Sequence, residues 1–116
     1  MSNRDRLWPI IEPLFRESKY CLSVGEGKYA NMIIKICDRM TGECDYSIWC
    51  HNRGNRLDFV VPNWRIRQVS GDLNLENECR EVNKVDKLYD KPATAFRSIN
   101  EETLIGICRH IASGNC

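Results

Sequence analysis

The sequence predicts a single α+β domain over residues 1–116, with an N-terminal helix, an antiparallel β-meander of about four to six strands, and a capped C-terminal helix. Apolar residues recur at helical spacing near both ends of the chain, whereas they alternate with polar residues through most of 20–69. Gly, Pro, Asn and Asp interrupt the alternating part and mark its turns. We expect both helices to pack on one face of the sheet.

The N-terminal helix is predicted over Ser2–Ser18. Two overlapping sets of apolar residues share one helical face, namely Trp8, Ile11 and Phe15, and Leu7, Ile11 and Leu14. Pro9 and Pro13 complicate the prediction, because proline is comfortable only in the first turn of a helix. Either the helix is kinked, or a turn precedes a second short helix.

Strand-like runs separated by turn signals follow this helix. They are Tyr20–Val24, Tyr29–Asp38, Cys44–Cys50, Arg56–Val61, Trp64–Val69 and a short run at Ala93–Arg97. Thr41-Gly42-Glu43 is predicted to be a hairpin turn. Alternation in the third run places Tyr46, Ile48 and Cys50 on one face, and in the fourth run it places Leu57, Phe59 and Val61 on one face. We expect Ile48, Leu57, Phe59 and Val61 to pack against the helices.

The two remaining segments differ in how clearly they can be interpreted. Leu73–Pro92 is polar and acidic, and is either a helix over Leu75–Val82 or a long surface loop. The last helix has a clear signature, because Ser98 and Glu101 form a capping box. Gly114 is predicted to end this helix. An apolar stripe runs along it at helical spacing and comprises Leu104, Ile105, Ile107, Cys108 and Ile111.

Composition restricts the class of protein. The chain has no apolar run long enough to span a membrane and no apolar segment typical of a signal peptide, so we expect a cytoplasmic protein without membrane contact. Seven cysteines, an odd number, argue against a disulfide framework and favour buried free thiols such as Cys37 and Cys108. A net charge of +1 gives no overall electrostatic attraction to nucleic acid.

The candidate binding surface is the run Asp45–Val69, which combines aromatic and basic residues with strand alternation. Four Arg and one Asp between Tyr46 and Arg67 give a local net charge of +3, whereas eight acids and five bases from Gln68 to Leu104 give −3. The predicted binding residues are Trp49, His51, Arg53, Arg56, Trp64, Arg65 and Arg67. They can stack on bases and pair with phosphates, or form a protein–protein hot spot. The plainer interpretation, that both tryptophans pack under the helices, is favoured.

Catalytic and metal-binding interpretations are weaker, and we expect no enzymatic activity, metal or cofactor. Cys37, Cys44, Cys50 and His51 lack the spacing of a zinc knuckle. Cys50 and His51 are strand neighbours that point to opposite faces, so they do not form a nucleophile pair. The acids Glu76, Glu78 and Glu81 before Lys84 resemble a nuclease grouping but suit a solvated segment better. Gly25-Glu26-Gly27-Lys28 lacks the context of a phosphate loop.

Two functions remain. The first is a small protein-interaction module that binds and modulates another protein; phage- or defence-related inhibitors and accessory proteins are often of this size, which is an association only. The alternative is a nucleic-acid-binding domain that uses the aromatic and arginine-bearing surface. The neutral overall charge favours the first and the local positive charge favours the second. The oligomeric state is open.

Overall fold

A computed structural model describes residues 3–27, 32–51, 56–65, 81–88 and 91–113 of the chain. The described part contains two α-helices, six strands and a short 3-10 helix. In chain order the elements are α1 (Asn3–Phe15), β1 (Tyr20–Gly25), β2 (Met32–Asp38), β3 (Cys44–Cys50), β4 (Leu57–Pro62), the 3-10 helix (Asn63–Arg65), β5 (Glu81–Leu88), β6 (Lys91–Arg97) and α2 (Glu101–Ala112). The predicted α+β class is confirmed: in chain order, one helix precedes the strands of an antiparallel sheet and one helix follows them.

The six strands form one sheet in the order β1-β2-β3-β4-β6-β5, and every pairing is antiparallel. The first four strands are a meander, as predicted. The chain then departs from a meander, because β6 rather than β5 pairs with β4, with Phe59 opposite Phe96. Strand β5 consequently lies at the edge of the sheet, and β1 lies at the other edge.

Both helices pack on one face of the sheet, which we call the covered face. The core on this face includes Leu7, Ile11 and Phe15 of α1, Leu104, Ile107, Cys108 and Ile111 of α2, and Ile34, Ile36, Tyr46, Ile48, Cys50, Leu57, Phe59 and Val61 of the strands. The inward faces predicted for β3 and β4 are therefore confirmed. Burial of these apolar side chains is the main favourable contribution to folding.

Helix α1 is one continuous helix that accommodates both prolines. Leu7, Ile11 and Phe15 are buried against the core, whereas Pro9 and Pro13 are exposed. A proline lacks the N–H that would bond to the carbonyl four residues earlier, so these bonds are missing on the solvent side, where water can replace them. Packing of the buried stripe therefore holds a helix that intrinsic propensity opposes.

The start of α2 corrects one sequence prediction. The N-cap is Asn100, whose side-chain oxygen accepts the N–H of Glu102 at 2.9 Å, so the predicted capping box of Ser98 and Glu101 is wrong. Ser98 instead has a positive φ of 53°. Ile99 donates its N–H to the Leu57 carbonyl, which continues the contact between the chain after β6 and strand β4. The predicted stop at Gly114 lies outside the described residues.

Two further segments differ from prediction. Trp64, expected to begin a strand, lies in the 3-10 helix, and residues 66–70 of that predicted strand are outside the described part. Glu81–Leu88 is strand β5 rather than the end of a helix or a loop. The short strand predicted at Ala93–Arg97 is confirmed as part of β6. No helix in the described ranges is long and apolar enough to cross a membrane.

A disulfide joins Cys37 and Cys44 at the hairpin between β2 and β3. The odd cysteine count did not predict this bond, and the expectation that Cys37 is a free buried thiol is wrong. The turn inside the hairpin is held by Asp38, whose carboxylate accepts the N–H groups of Met40 and Thr41 at 2.8 and 3.1 Å. These two bonds lower the pKa of Asp38 below its ordinary value.

Candidate interaction site

The structure divides the predicted binding residues into two groups at opposite ends of strand β4. His51 and Arg56 lie where β4 begins, and Trp64 and Arg65 lie just after it ends. Six strand residues separate the groups, which corresponds to roughly 20 Å at about 3.3 Å per residue. These four residues therefore do not form one continuous surface. Arg53 and Arg67 are outside the described part of the chain.

Trp49 belongs to neither group, because it packs on the face of the sheet opposite the helices. Its ring contacts a small apolar cluster made by Val60, Ala93 and Ala95. The indole N–H donates to the Ser47 hydroxyl at 3.2 Å. The expectation that Trp49 packs under the helices is thus wrong in its location, and its role as an open stacking platform is not supported, because the side chain is half-buried.

The first group is organised by a carboxylate that the sequence prediction did not include, and we call it the Asp58 cluster (His51, Arg56, Asp58 and Arg97, with the amide of Ser98). Alternation along β4 directs Asp58 to the same face as Trp49, its partner in β3. Because Phe59 pairs with Phe96, Asp58 and Arg97 are also neighbours across β4 and β6. The register therefore brings together polar side chains from β4, from β6 and from the residue that follows β3.

The Asp58 carboxylate is almost completely enclosed by its partners. It lies 2.8 Å from His51 Nε2, 3.2 Å from Arg56 Nε and 3.5 Å from an Arg97 guanidinium nitrogen, while its side chain is 5% exposed. The backbone N–H of Ser98 donates to Asp58 Oδ1 at 3.0 Å. A buried charge is tolerated only when it is paired and hydrogen-bonded in this way.

The geometry of the Asp58 cluster fits a structural role better than a chemical one. His51 and Asp58 are both buried, which leaves little access for a substrate. By holding the Ser98 amide, the carboxylate fixes the positive-φ residue that links β6 to α2. The cluster thereby ties β3, β4 and β6 to the start of the second helix.

The second group presents an aromatic ring and a cation at one corner of the sheet, and we call it the Trp64 corner (Asp45, Asn63, Trp64, Arg65 and Thr94). Pro62 ends β4, and the chain turns into the 3-10 helix. The Thr94 hydroxyl of β6 donates to Asn63 Oδ1 at 2.6 Å, and Arg65 lies 3.2 Å from the Asp45 carboxylate of β3. Both contacts attach the turn to the sheet.

Trp64 is the exposed element of this corner, with 52% of its surface accessible. The Arg65 guanidinium stacks over its ring at 4.1 Å from the centroid, a cation–π contact. Since Arg65 is itself held by the buried Asp45, the ring rests on a fixed support. The corner can therefore contribute apolar contact area to a partner at a low cost in side-chain entropy.

The catalytic and metal interpretations receive no support from the described contacts. Cys50 lies in the covered core whereas His51 lies on the opposite face, as strand alternation predicted. Cys37 and Cys44 are bonded to each other, so they are not thiolate ligands. In the ranges that the structure describes, no three His, Cys, Asp or Glu side chains are grouped to hold a metal ion. Glu76 and Glu78 fall outside those ranges.

Asp45, Asp58 and Arg97 are the charged residues that sequence reasoning missed. Asp58 did carry a signal, because it is the single acid among four arginines between Tyr46 and Arg67. An isolated carboxylate in a basic, strand-like run indicates an internal ion pair. Arg97 had no comparable signal, since its proximity to Asp58 depends on β6 rather than β5 pairing with β4.

Comparison of the chain with protein-family models, with curated proteins and with solved structures gives no match.

Proposed function

We propose that this protein is an interaction module that binds and modulates another protein through the Trp64 corner. The observation that carries the proposal is the half-exposed Trp64 ring, supported by Arg65 and fixed to the sheet through Asp45. Trp and Arg are enriched among residues that dominate protein–protein binding energy, and a rigid anchor loses little entropy on binding. An inhibitor or accessory protein would use such a corner as its anchor.

The charge pairing of the arginines favours a protein partner over nucleic acid. Arg65 is paired with Asp45, and Arg56 and Arg97 share Asp58. A phosphate would have to compete with a buried carboxylate for each of these guanidinium groups. Nucleic-acid affinity depends on cations that neutralise phosphates and release counterions, so paired arginines contribute less to it.

Nucleic-acid binding is the second candidate, and the exposed Trp64 ring is the observation that favours it. A base can stack on an indole ring, and such a contact contributes about 1–3 kcal/mol per base. In that case the protein should bind labelled single-stranded DNA or RNA at about 50 mM salt and lose most of the affinity at about 200 mM. Salt-sensitive binding that requires Trp64 would replace the protein-partner proposal.

Site-specific cross-linking tests the protein-partner proposal. A photoreactive phenylalanine analogue is placed at position 64, and in a matched control at position 40, where Met40 is 94% exposed in the β2–β3 turn. We expect one discrete cross-linked protein from position 64 and none from position 40. A Trp64→Ala/Arg65→Ala variant with an unchanged unfolding midpoint should then bind the purified partner at least roughly 30-fold more weakly, as expected for a hot spot.

Two results would contradict the proposal. The same cross-linked proteins from positions 40 and 64 would mean that the corner has no selectivity. Equal affinity of the purified partner for the wild type and the Trp64→Ala/Arg65→Ala variant would mean that the partner binds elsewhere.

A further inference from the structure

Among the residues that the structure describes, strand β1 forms an edge of the sheet and pairs with β2 alone. Ser23, Val24 and Gly25 are exposed, with Val24 at 47%. An exposed edge strand carries backbone groups that can pair with another strand. The direction in which those groups point therefore decides what can bind there.

Two observations show which β1 residues direct their backbone groups outward. The N–H and C=O of Tyr20 both bond to the Ser18 hydroxyl at 3.1 Å rather than to β2. Opposite Tyr20, the N–H of Asp38 donates to Glu43, on the side of β2 away from β1. Because orientation alternates along an antiparallel pair, Leu22 and Val24 also direct their N–H and C=O to the free edge.

We propose that a second copy of this chain pairs with β1 across a two-fold axis at Ser23, so that two six-stranded sheets join edge to edge. In this register Leu22 of one copy lies opposite Val24 of the other. Each such pair exchanges two backbone hydrogen bonds, so the outward groups of both residues are satisfied in both copies. A two-fold interface of this kind uses the same surface on each subunit.

The side chains along β1 are complementary to their own copy. Leu22 and Val24 lie on the covered face, opposite Ile36 and Ile34 of β2. Val24 also lines an open hollow of about 410 Å³ between α1 and the sheet, whose other lining residues are Asp5, Trp8, Pro9 and Met32. Leu22 of the second copy would pack against the exposed part of Val24 beside this hollow.

Charge also supports self-pairing over pairing with an unrelated strand. Lys19 precedes β1 and Glu26 follows it, and both are exposed. Antiparallel pairing centred on Ser23 would place Glu26 of one copy opposite Tyr20 of the other, and the Lys19 ammonium lies over that Tyr20 ring at 5.2 Å from its centroid. Opposite charges near each other across a strand pair are favourable, whereas like charges are unfavourable.

A charge-exchange experiment tests the proposal with purified protein alone. Association is measured by sedimentation equilibrium over a range of about 10–500 µM, which covers weak self-association. We expect the wild type to dimerise. Ser23→Lys and Ser23→Glu each place two like charges face to face at the axis, so each should weaken dimerisation at least roughly tenfold, whereas an equal mixture should form heterodimers.

Two controls separate the edge contact from general effects. Glu102→Gln changes the net charge by the same amount as Ser23→Lys, but on exposed α2, and should leave dimerisation unchanged. Val24→Pro removes an outward N–H that β2 does not use, so the monomer should stay folded by circular dichroism while the dimer is lost.

Four results would overturn the proposal. The first two are a wild type that stays monomeric over the whole concentration range and a dimer that persists in the Ser23 and Val24 variants. The third is a mixture of Ser23→Lys and Ser23→Glu that does not associate. The fourth is a wild-type dimer that survives on a denaturing, non-reducing gel, because the two copies would then be joined by a covalent bond.

Discussion

Replacing Asp58 by alanine tests whether this buried carboxylate holds the junction between β6 and α2. The carboxylate accepts the Ser98 N–H at 3.0 Å and contacts His51, Arg56 and Arg97 within 3.5 Å. The Asp58→Ala variant leaves all four partners without this acceptor. We therefore expect a loss of stability and a loosened start of α2, without a change in the fold.

The size of the loss follows from burial. A hydrogen bond to a charged group contributes about 1.5–3 kcal/mol, and removing one member of a buried ion pair costs about 3–5 kcal/mol. Arg56 and Arg97 are 37% and 34% exposed, so water replaces part of what they lose. We expect about 3 kcal/mol for Asp58→Ala, and roughly half of this for Asp58→Asn, whose amide oxygen can still accept the Ser98 N–H.

Urea denaturation followed by far-ultraviolet circular dichroism measures this loss. With an m value of about 1–3 kcal/mol/M, Asp58→Ala should lower the midpoint by roughly 1–3 M. The control is Glu12→Ala, which removes a shorter carboxylate–arginine contact of 2.6 Å to Arg16 on the exposed face of α1 and should leave the midpoint unchanged. Equal midpoint shifts for the two variants would refute the reasoning that burial, rather than distance, sets the contribution.

Three other predictions concern the hairpin and α2. Asn100→Ala should cost about 1 kcal/mol in urea denaturation because it removes the N-cap, whereas Ser98→Ala should cost less, since only the backbone of Ser98 makes a described hydrogen bond. Burial raises the pKa of Cys108 to about 12, so iodoacetamide at pH 8 should modify half-exposed Cys21 and spare Cys108 in peptide mass spectra; equal modification would contradict this. The N–H groups of Thr41 and Met40 lower the pKa of Asp38, so its carboxylate should titrate by NMR below the range of an unperturbed aspartate. The resulting stabilisation is complete above the unfolded pKa and is lost as pH falls through the folded pKa. A midpoint at or above that of an unperturbed aspartate would contradict this.

The parts of the fold that the sequence predicted are those in which burial sets the pattern. Strands β3 and β4 each place alternate residues against the helices. The period of two is therefore visible in Tyr46, Ile48 and Cys50 of β3 and in Leu57, Phe59 and Val61 of β4. Strand β5 has the sequence EVNKVDKL, in which polar residues dominate. It is specified by its backbone pairing with β6 at the sheet edge, and such pairing leaves little trace in hydropathy.

The candidate site was predictable in composition and not in arrangement. Trp64 and Arg65 were identified because aromatic and basic residues coincide there, and in the structure the Arg65 guanidinium stacks on the Trp64 ring. The Asp58 cluster was recognised only through His51 and Arg56, since Asp58 and Ser98 are 40 residues apart. Contacts of this separation depend on strand order, which local spacing does not encode.

The position of β6 inside the sheet has a consequence for how the protein is assembled as it is made. A ribosome releases α1 and β1 to β4 well before β6, yet β4 needs β6 as its second neighbour. Until then, the edge of β4 that pairs with β6 lacks this partner, and Phe59 and Val61 lack their cross-strand contacts with β6. Such an edge is prone to aggregation, and contacts between distant residues form slowly. We therefore expect the nascent chain to be most prone to aggregation after β4 has been made and before β6 pairs with it.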